Sequence, residues 1–123
     1  TTWGPRLFEP ANSAFWDAVR DQRPDLYKSF NPWDQITDPA ALEALLRSGG
    51  AENVRVVAEP GRHALIAPSQ WWSIVMGTGY RGVVEQLDPA AQQRVREACF
   101  KRIANIGVTE VETNVVYGLA IKG

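Results

Sequence analysis

With 123 residues, the chain has room for one small domain or a piece of one. Hydrophobic residues at 45% fit a folded globular chain rather than a disordered one. Thirteen basic and 14 acidic residues leave a formal charge of -1 with no basic stripe, which excludes the footprint of a nucleic-acid binder, while a single Cys and a single His exclude an internal disulfide and any usual metal-ligand cluster.

Reading from the amino end, Thr1, Thr2 and Trp3 are β-prone, and Gly4-Pro5 stops them, so the tail of a strand is expected there. Residues 11–22 read as a helix with Ala11, Phe15, Ala18 and Val19 on one face, ended by Pro24. An irregular, aromatic-rich stretch follows. Asp38 then serves as an N-cap with Pro39 at the first helical position, where its missing N–H costs nothing. Leu42, Leu45 and Leu46 form the apolar stripe of that helix, and Gly49-Gly50 supplies the left-handed stop. Val54, Val56 and Val57 predict a short strand ending by Pro60-Gly61, with a second extended piece over 63–67.

Ser69 is placed to cap a helix over 70–77, which loosens at Gly77 and Gly79 and resumes from Tyr80. Asp88-Pro89 repeats the cap-plus-proline signal and opens the longest helix, through Ala91, Val95, Ala98, Cys99, Ile103 and Ile106, closed by Gly107. From Val108 the residues alternate. Val111, Thr113, Val115, Tyr117, Leu119 and Ile121 make the more apolar face of one long closing strand, and Glu110, Glu112, Asn114, Val116 and Lys122 lie opposite. Strands separated by helices suit an α/β sheet, but two or three strands make a poor sheet alone, so further strands are expected upstream.

Residues 77–82, GTGYRG, match G-x-G-x-x-G literally. A nucleotide loop of that form needs a strand before it and a helix amino terminus after it. Here the preceding WWSIVM reads as helix, so a break between helices is the better reading. Trp71, Trp72, Tyr80 and Arg81 form a second constellation, in which one Trp reads as core and the other can cover a pocket, with plain packing as the competing reading. Trp3, Phe8, Phe15, Trp16, Phe30 and Trp33 form a third group, either core or ligand wall. His63 lacks a partnered acid or nucleophile, Ser69 and Ser73 lack a nucleophile-elbow context, and Cys99 sits on the apolar side of its helix. No catalytic residue can be assigned. Apolar runs fall well short of the roughly 20 residues a membrane helix needs, and TTWGPRLFEP lacks a signal-peptide pattern, so a reducing cytoplasm is expected. With Thr at position 1 and its only Met at 76, the chain is expected to be a processed product, a trimmed chain or a fragment.

The order of these pieces is familiar. TTWGP, F-EP and FW come first, then DPAALEALLRSGGAENVRVV, then H-L, P, WW-IV-GTGYR, LDPAAQQRVREAC and a final VYGLAIKG. That order resembles the carboxyl-terminal half of class I S-adenosylmethionine-dependent methyltransferases, in the ubiquinone/menaquinone-type small-molecule branch. In that family the fifth strand ends in a pattern like TTW. A helix matched here by Asp38, Leu42, Leu45, Leu46 and Gly49 precedes the sixth strand. The antiparallel seventh strand closes on an aromatic followed by A-x-K, here Tyr117, Ala120 and Lys122.

The resemblance implies an α/β fold, the carboxyl-terminal portion of a Rossmann-like sheet, with the last strands antiparallel and helices packed on them. Residues 1–123 would be one fragment without separate domains. The parent protein would bind S-adenosylmethionine through a glycine-rich loop and an acidic residue that belong to the first strands and are absent here, so no cofactor-binding residue is assigned. The segments 8–33 and 71–87 resemble substrate-covering segments, and Trp3 looks placed near the methyl-transfer crevice. Trp3, Phe8, Trp71, Trp72, Tyr80 and Arg81 are therefore the expected substrate-side residues. The implied partners are a small-molecule methyl acceptor, the missing amino-terminal half and a second copy across exposed strands, without nucleic acid or membrane. Two other readings stay open: a small aromatic-lined binding module, and a non-catalytic dimerisation domain.

Overall fold

A computed structural model describes residues 1–123. Its helices are α1 (Ala11–Gln22), α2 (Pro39–Ser48), α3 (Ser69–Gly77), α4 (Arg81–Val84) and α5 (Pro89–Ile106). Its strands are β1 (Thr2–Trp3), β2 (Ala51–Glu59), β3 (Arg62–Ala64), β4 (Glu110–Glu112) and β5 (Val115–Lys122). The class is mixed α and β with antiparallel strand pairing. The chain forms two compact units. One comprises Thr1–Leu7, Phe30–His63 and Glu112–Gly123, the other Phe8–Ser29 and Ala64–Val111. β3 and β4 pair in a separate two-stranded sheet, within which the chain passes from one unit to the other.

The first unit is built on β5. It lies between β1 and β2 and runs antiparallel to both, so β1 and β2 are parallel to each other. Only Thr2 and Trp3 of β1 enter the ladder, opposite Val116 and Val115. β2 pairs along its length from Ala51↔Lys122 to Glu59↔Val115, with an irregularity between Glu52 and Arg55. There Asn53 takes φ +50°, a left-handed conformation that Asn tolerates better than most residues.

α2 forms for the reasons legible in its residues. The Asp38 carboxylate accepts a hydrogen bond from Ala41 N–H at 2.9 Å, and Gly50 turns the chain at φ +85°. Leu42 is buried, whereas Leu45 is exposed, so the stripe is narrower than the leucine spacing implied. The helix comes close to the sheet at Gly118. A Cβ there would lie 2.9 Å from Leu46 Cδ1 and 3.2 Å from Leu42 Cδ2. Fully buried Val116 is on the same face as Gly118.

On the more apolar face of the closing strand, Tyr117, Leu119 and Ile121 are exposed. The reason is steric: only the glycine-bearing face admits a helix. The single long strand is also two strands, β4 and β5, interrupted at Thr113 and Asn114. Val111 of β4 and Val116 of β5 are both fully buried, each in its own sheet.

Asn114 fills that break. Its backbone carbonyl accepts from Gly4 N–H at 2.7 Å. Its side chain donates to Pro5 O at 3.0 Å and to a Glu112 carboxylate oxygen at 3.2 Å, and accepts from Gly61 N–H at 3.1 Å. Thr113 N–H donates to Gly61 O at 2.9 Å. The approach is so tight that a Cβ on Gly61 would lie 2.6 Å from Thr113 O, and one on Gly4 2.7 Å from Asn114 Cβ. Arg6, at φ +59°, donates through Nε to Glu112 at 2.7 Å.

In the second unit α1 packs along α5. α1 buries Ala11, Ala14, Phe15, Ala18 and Val19, and α5 buries Ala91, Val95, Cys99 and Ile103 at steps of four. The expected Ala98 and Ile106 are exposed. Asp88 caps α5 through Ala91 N–H at 2.7 Å, and Gly107 closes it at φ +69°. Ser69 is not a cap. It is the first residue of α3, and the local turn is closed by the Gln70 side chain accepting from Ile66 N–H at 2.6 Å.

Replacing Asn114 by Ala removes three side-chain hydrogen bonds, and at about 1 kcal/mol each denaturant unfolding should show a loss of roughly 2–3 kcal/mol. Stability should also fall in acid. The Arg6 hydrogen bond holds the Glu112 carboxyl below its ordinary range; burial opposes it, and the Asn114 hydrogen bond and the Arg6 and Arg62 charges reinforce it. A depressed folded-state pKa contributes stability above the unfolded value, about 4.3 for Glu, and that contribution disappears as pH falls through the folded value. Thermal melts of Glu112→Gln should converge on the parent below that range and fall short of it near neutrality.

Candidate functional site

The aromatic side chains singled out in the sequence separate by unit. Trp3, Phe30 and Trp33 belong to the sheet unit, and Phe8, Phe15, Trp16, Trp71, Trp72 and Tyr80 to the helical unit. The group of six beginning at Trp3 is therefore divided between the two units. Its members alternate between units because the chain leaves the sheet after Leu7 and returns at Phe30.

Within the helical unit Tyr80 is the hub. Its ring centroid lies 4.8 Å from Phe15, 5.4 Å from Trp71, 6.0 Å from Phe8 and 6.1 Å from Trp16. These are tilted and edge-to-face pairs, the geometry that the ring quadrupole favours. Each ring arrives for a local reason. Phe15 and Trp16 come from consecutive positions of α1, Trp71 from the first turn of α3, and Tyr80 from the link between α3 and α4. Phe8 enters at φ +60°, just before α1. Phe8, Phe15, Trp16 and Trp71 are buried, whereas Tyr80 is half-buried.

The Tyr80 hydroxyl donates to Asn12 Oδ1 at 2.6 Å. Burial, and then the nearby Glu9 carboxylate, push the phenol well above its ordinary pKa, so it is a donor and not a base at neutral pH. Glu9 is itself held by Ser13, whose N–H and hydroxyl both donate to it, at 2.7 and 2.6 Å. A half-buried phenol edge with Asn12, Ser13 and Glu9 beside it is the most chemically varied spot in the unit.

Trp71 is fully buried, four residues before fully buried Val75 on the same side of α3. Its indole N–H has no hydrogen-bond acceptor, a vacancy that typically costs about 1–3 kcal/mol. The N–H dipole does act on the Cys99 thiol, where it opposes part of the burial effect that pushes that thiol up to about 12. Sulfur is too weak an acceptor to satisfy an indole donor. Trp72, half-buried, turns instead to Phe100, edge-to-face at 6.5 Å, with the Arg96 guanidinium 5.3 Å over that ring.

Of the expected substrate-side residues, then, Phe8, Trp71 and Tyr80 meet in one cluster and Trp72 packs on another ring. Arg81 is exposed and paired with Glu85 at 2.7 Å. Trp3 sits in the sheet unit on the partly exposed face of β1. Residues 77–82 form the end of α3, a turn and the start of α4. Gly77, Gly79 and Gly82 have neither a left-handed φ nor an atom within 4 Å of a would-be Cβ, so the loop is not a tight backbone cradle. His63 is exposed on β3, and no three His, Cys, Asp or Glu side chains gather in a metal-binding arrangement. An open groove of about 470 Å³ along α1 and α5 is lined by Asp17, Asp21, Lys101 and Arg102. Their spacing reads only as solvated helix charge, which is why the sequence did not point to it. No helix is long and apolar enough to cross a membrane. No family model matches the chain, and no curated protein matches it.

The raised Cys99 pKa predicts an inert thiol. A disulfide reagent at pH 8 should titrate none in the native chain and one after denaturation. Because the folded value lies above the unfolded one, near 8.5, the linked stability is complete below pH 8.5 and declines as pH rises toward about 12. Cys99→Ala should flatten that alkaline decline.

Proposed function

We propose that the chain is the substrate-side, carboxyl-terminal part of a Rossmann-like, S-adenosylmethionine-dependent methyltransferase that acts on a small molecule. The observation that carries the reading is the order β1, α2, β2, β5. A short first strand is followed, after α1, by a helix opened by Asp38 and closed at Gly49-Gly50. A strand parallel to the first comes next, and the final strand is inserted between the two and antiparallel to both. The resemblance implies a fifth strand, a helix of that residue pattern, a sixth strand and an antiparallel seventh, and this order of elements supports the reading. β1 pairs on one side only, which leaves an edge for the strands that would carry the cofactor loop.

Methyl transfer asks for alignment and exclusion of water more than for acid or base groups. The sulfonium carries the reactive methyl, so the protein contributes geometry and low dielectric. The chain's part in such a reaction is an aromatic wall. Phe8, Phe15, Trp16 and Trp71 seal the interior, and Tyr80, anchored by Asn12, offers the half-exposed edge against which an apolar acceptor packs. Trp72 and Arg81, from the same unit, complete the proposed substrate side. The cytoplasm is the proposed compartment.

Isothermal titration with S-adenosylmethionine tests the reading. The 123-residue chain should show no micromolar binding, whereas the polypeptide extended by the residues its gene encodes upstream of Thr1 should bind. Micromolar binding by the short chain, or none by the extended one, overturns the proposal.

A further inference from the structure

The β1–β5–β2 sheet has one face under α2 and an opposite face that is apolar. On that opposite face Trp3, Val57, Tyr117, Leu119 and Ile121 are between 41% and 72% exposed. Strand pairing makes them one patch. Val57 stands directly across from Tyr117, Leu119 and Ile121 continue along β5, and Trp3 stands across from Val115. Single exposed hydrophobic residues need no explanation, but a contiguous group this size marks an interaction surface.

The charges beside the patch say what kind of partner fits. On the same face of β2, Arg55 stands across from Leu119 and Glu59 across from Val115, two residues either side of Val57. Both charges are exposed. A two-fold axis through the Val57–Tyr117 pair, lying in the contact plane and perpendicular to the strands, sets two copies face to face with their strands antiparallel. Arg55 of each copy then meets Glu59 of the other with Val57 against Val57 between the two ion pairs, while beside them β5 lies on β5, Tyr117 against Tyr117 and Leu119 against Val115. The sheets would pack about 10 Å apart, as twisted sheets commonly do in sandwiches. A surface that carries both halves of its own charge pair, symmetrically about its apolar centre, is self-complementary.

We infer that this face docks a second copy of the chain, through apolar contact of Val57, Tyr117, Leu119 and Val115 and reciprocal Arg55–Glu59 ion pairs. The inference does not rest on the methyltransferase reading. It uses the sheet's open face and leaves the edge of β1 untouched.

Sedimentation velocity of the full chain across a concentration series, in low salt, tests it. The parent chain should be a dimer at micromolar concentration. Arg55→Glu or Glu59→Arg alone places like charges together twice and should weaken dimerisation at least about tenfold. The double exchange R55E/E59R should restore it to within about threefold of the parent. Val57→Glu should give a monomer with an unchanged circular-dichroism spectrum and melt, since Val57 is exposed within the chain. A parent chain that stays monomeric at the highest concentration overturns the inference and reassigns the face to a different occupant, such as an amphipathic helix. A double exchange no tighter than the single variants overturns the proposed register. Neither outcome bears on cofactor binding by the extended polypeptide, so the two proposals fail separately.

Discussion

The sheet unit depends on a two-residue interruption. Thr113 and Asn114 leave the ladder between β4 and β5, and the backbone and amide of Asn114 take up Gly4, Pro5 and Gly61 in one hydrogen-bonded knot. Without it β1 would be two residues of strand with little to hold them. The knot also fixes the phase of β5, because one residue more or less in the break would exchange its two faces. The close contacts at Gly4 and Gly61 follow from the same demand, since neither has space for a side chain. Backbone amides brought that close to a carbonyl and an amide side chain satisfy one another, and that satisfaction is what makes so tight a crossing tolerable.

From the phase of β5 follows the placement of everything on the sheet. Gly118 faces α2 because the helix needs backbone-distance contact through Leu42 and Leu46. The larger side chains of the strand are thereby turned outward, and its more apolar face is left exposed. A strand that is apolar on both faces is the mark of a sheet covered on both sides. One cover is α2. The other is the subject of the dimer proposal.

The helical unit obeys a different economy. Its interior is ring against ring, with Tyr80 at the centre and few polar atoms to satisfy. Two of those atoms show how finely the packing is set. The Tyr80 hydroxyl finds Asn12, while the Trp71 indole N–H is left without an acceptor. Since Trp71 is held by its rings and by Val75, the orphaned donor is a local cost tolerated by a large buried area. The same low dielectric keeps both the phenol and the thiol protonated, so the cluster acts by shape and by hydrogen-bond donation.

Helices were the most legible part of the chain, since caps and stops are chemistry between near neighbours. Asp38, Asp88, Gly50 and Gly107 do what their identity implies, because a carboxylate three residues from an open N–H, or a glycine at a left-handed turn, needs no distant partner. The partition of α1 and α5 into buried and exposed sides was also present in the spacing, apart from Ala98 and Ile106 near the edge of the stripe. What linear reading could not supply was any choice between two acceptable faces or two acceptable partners. Alternation along 108–122 was visible, but which side met a helix depended on Gly118 touching Leu46, a contact some 70 positions away. The aromatic residues announced a cluster, yet only the path of the chain decided that Phe8 joins Tyr80 while Trp3 stays with the sheet. Local propensity travels along the chain, whereas steric fit acts through space, and here it was fit at one glycine and one asparagine that settled the arrangement.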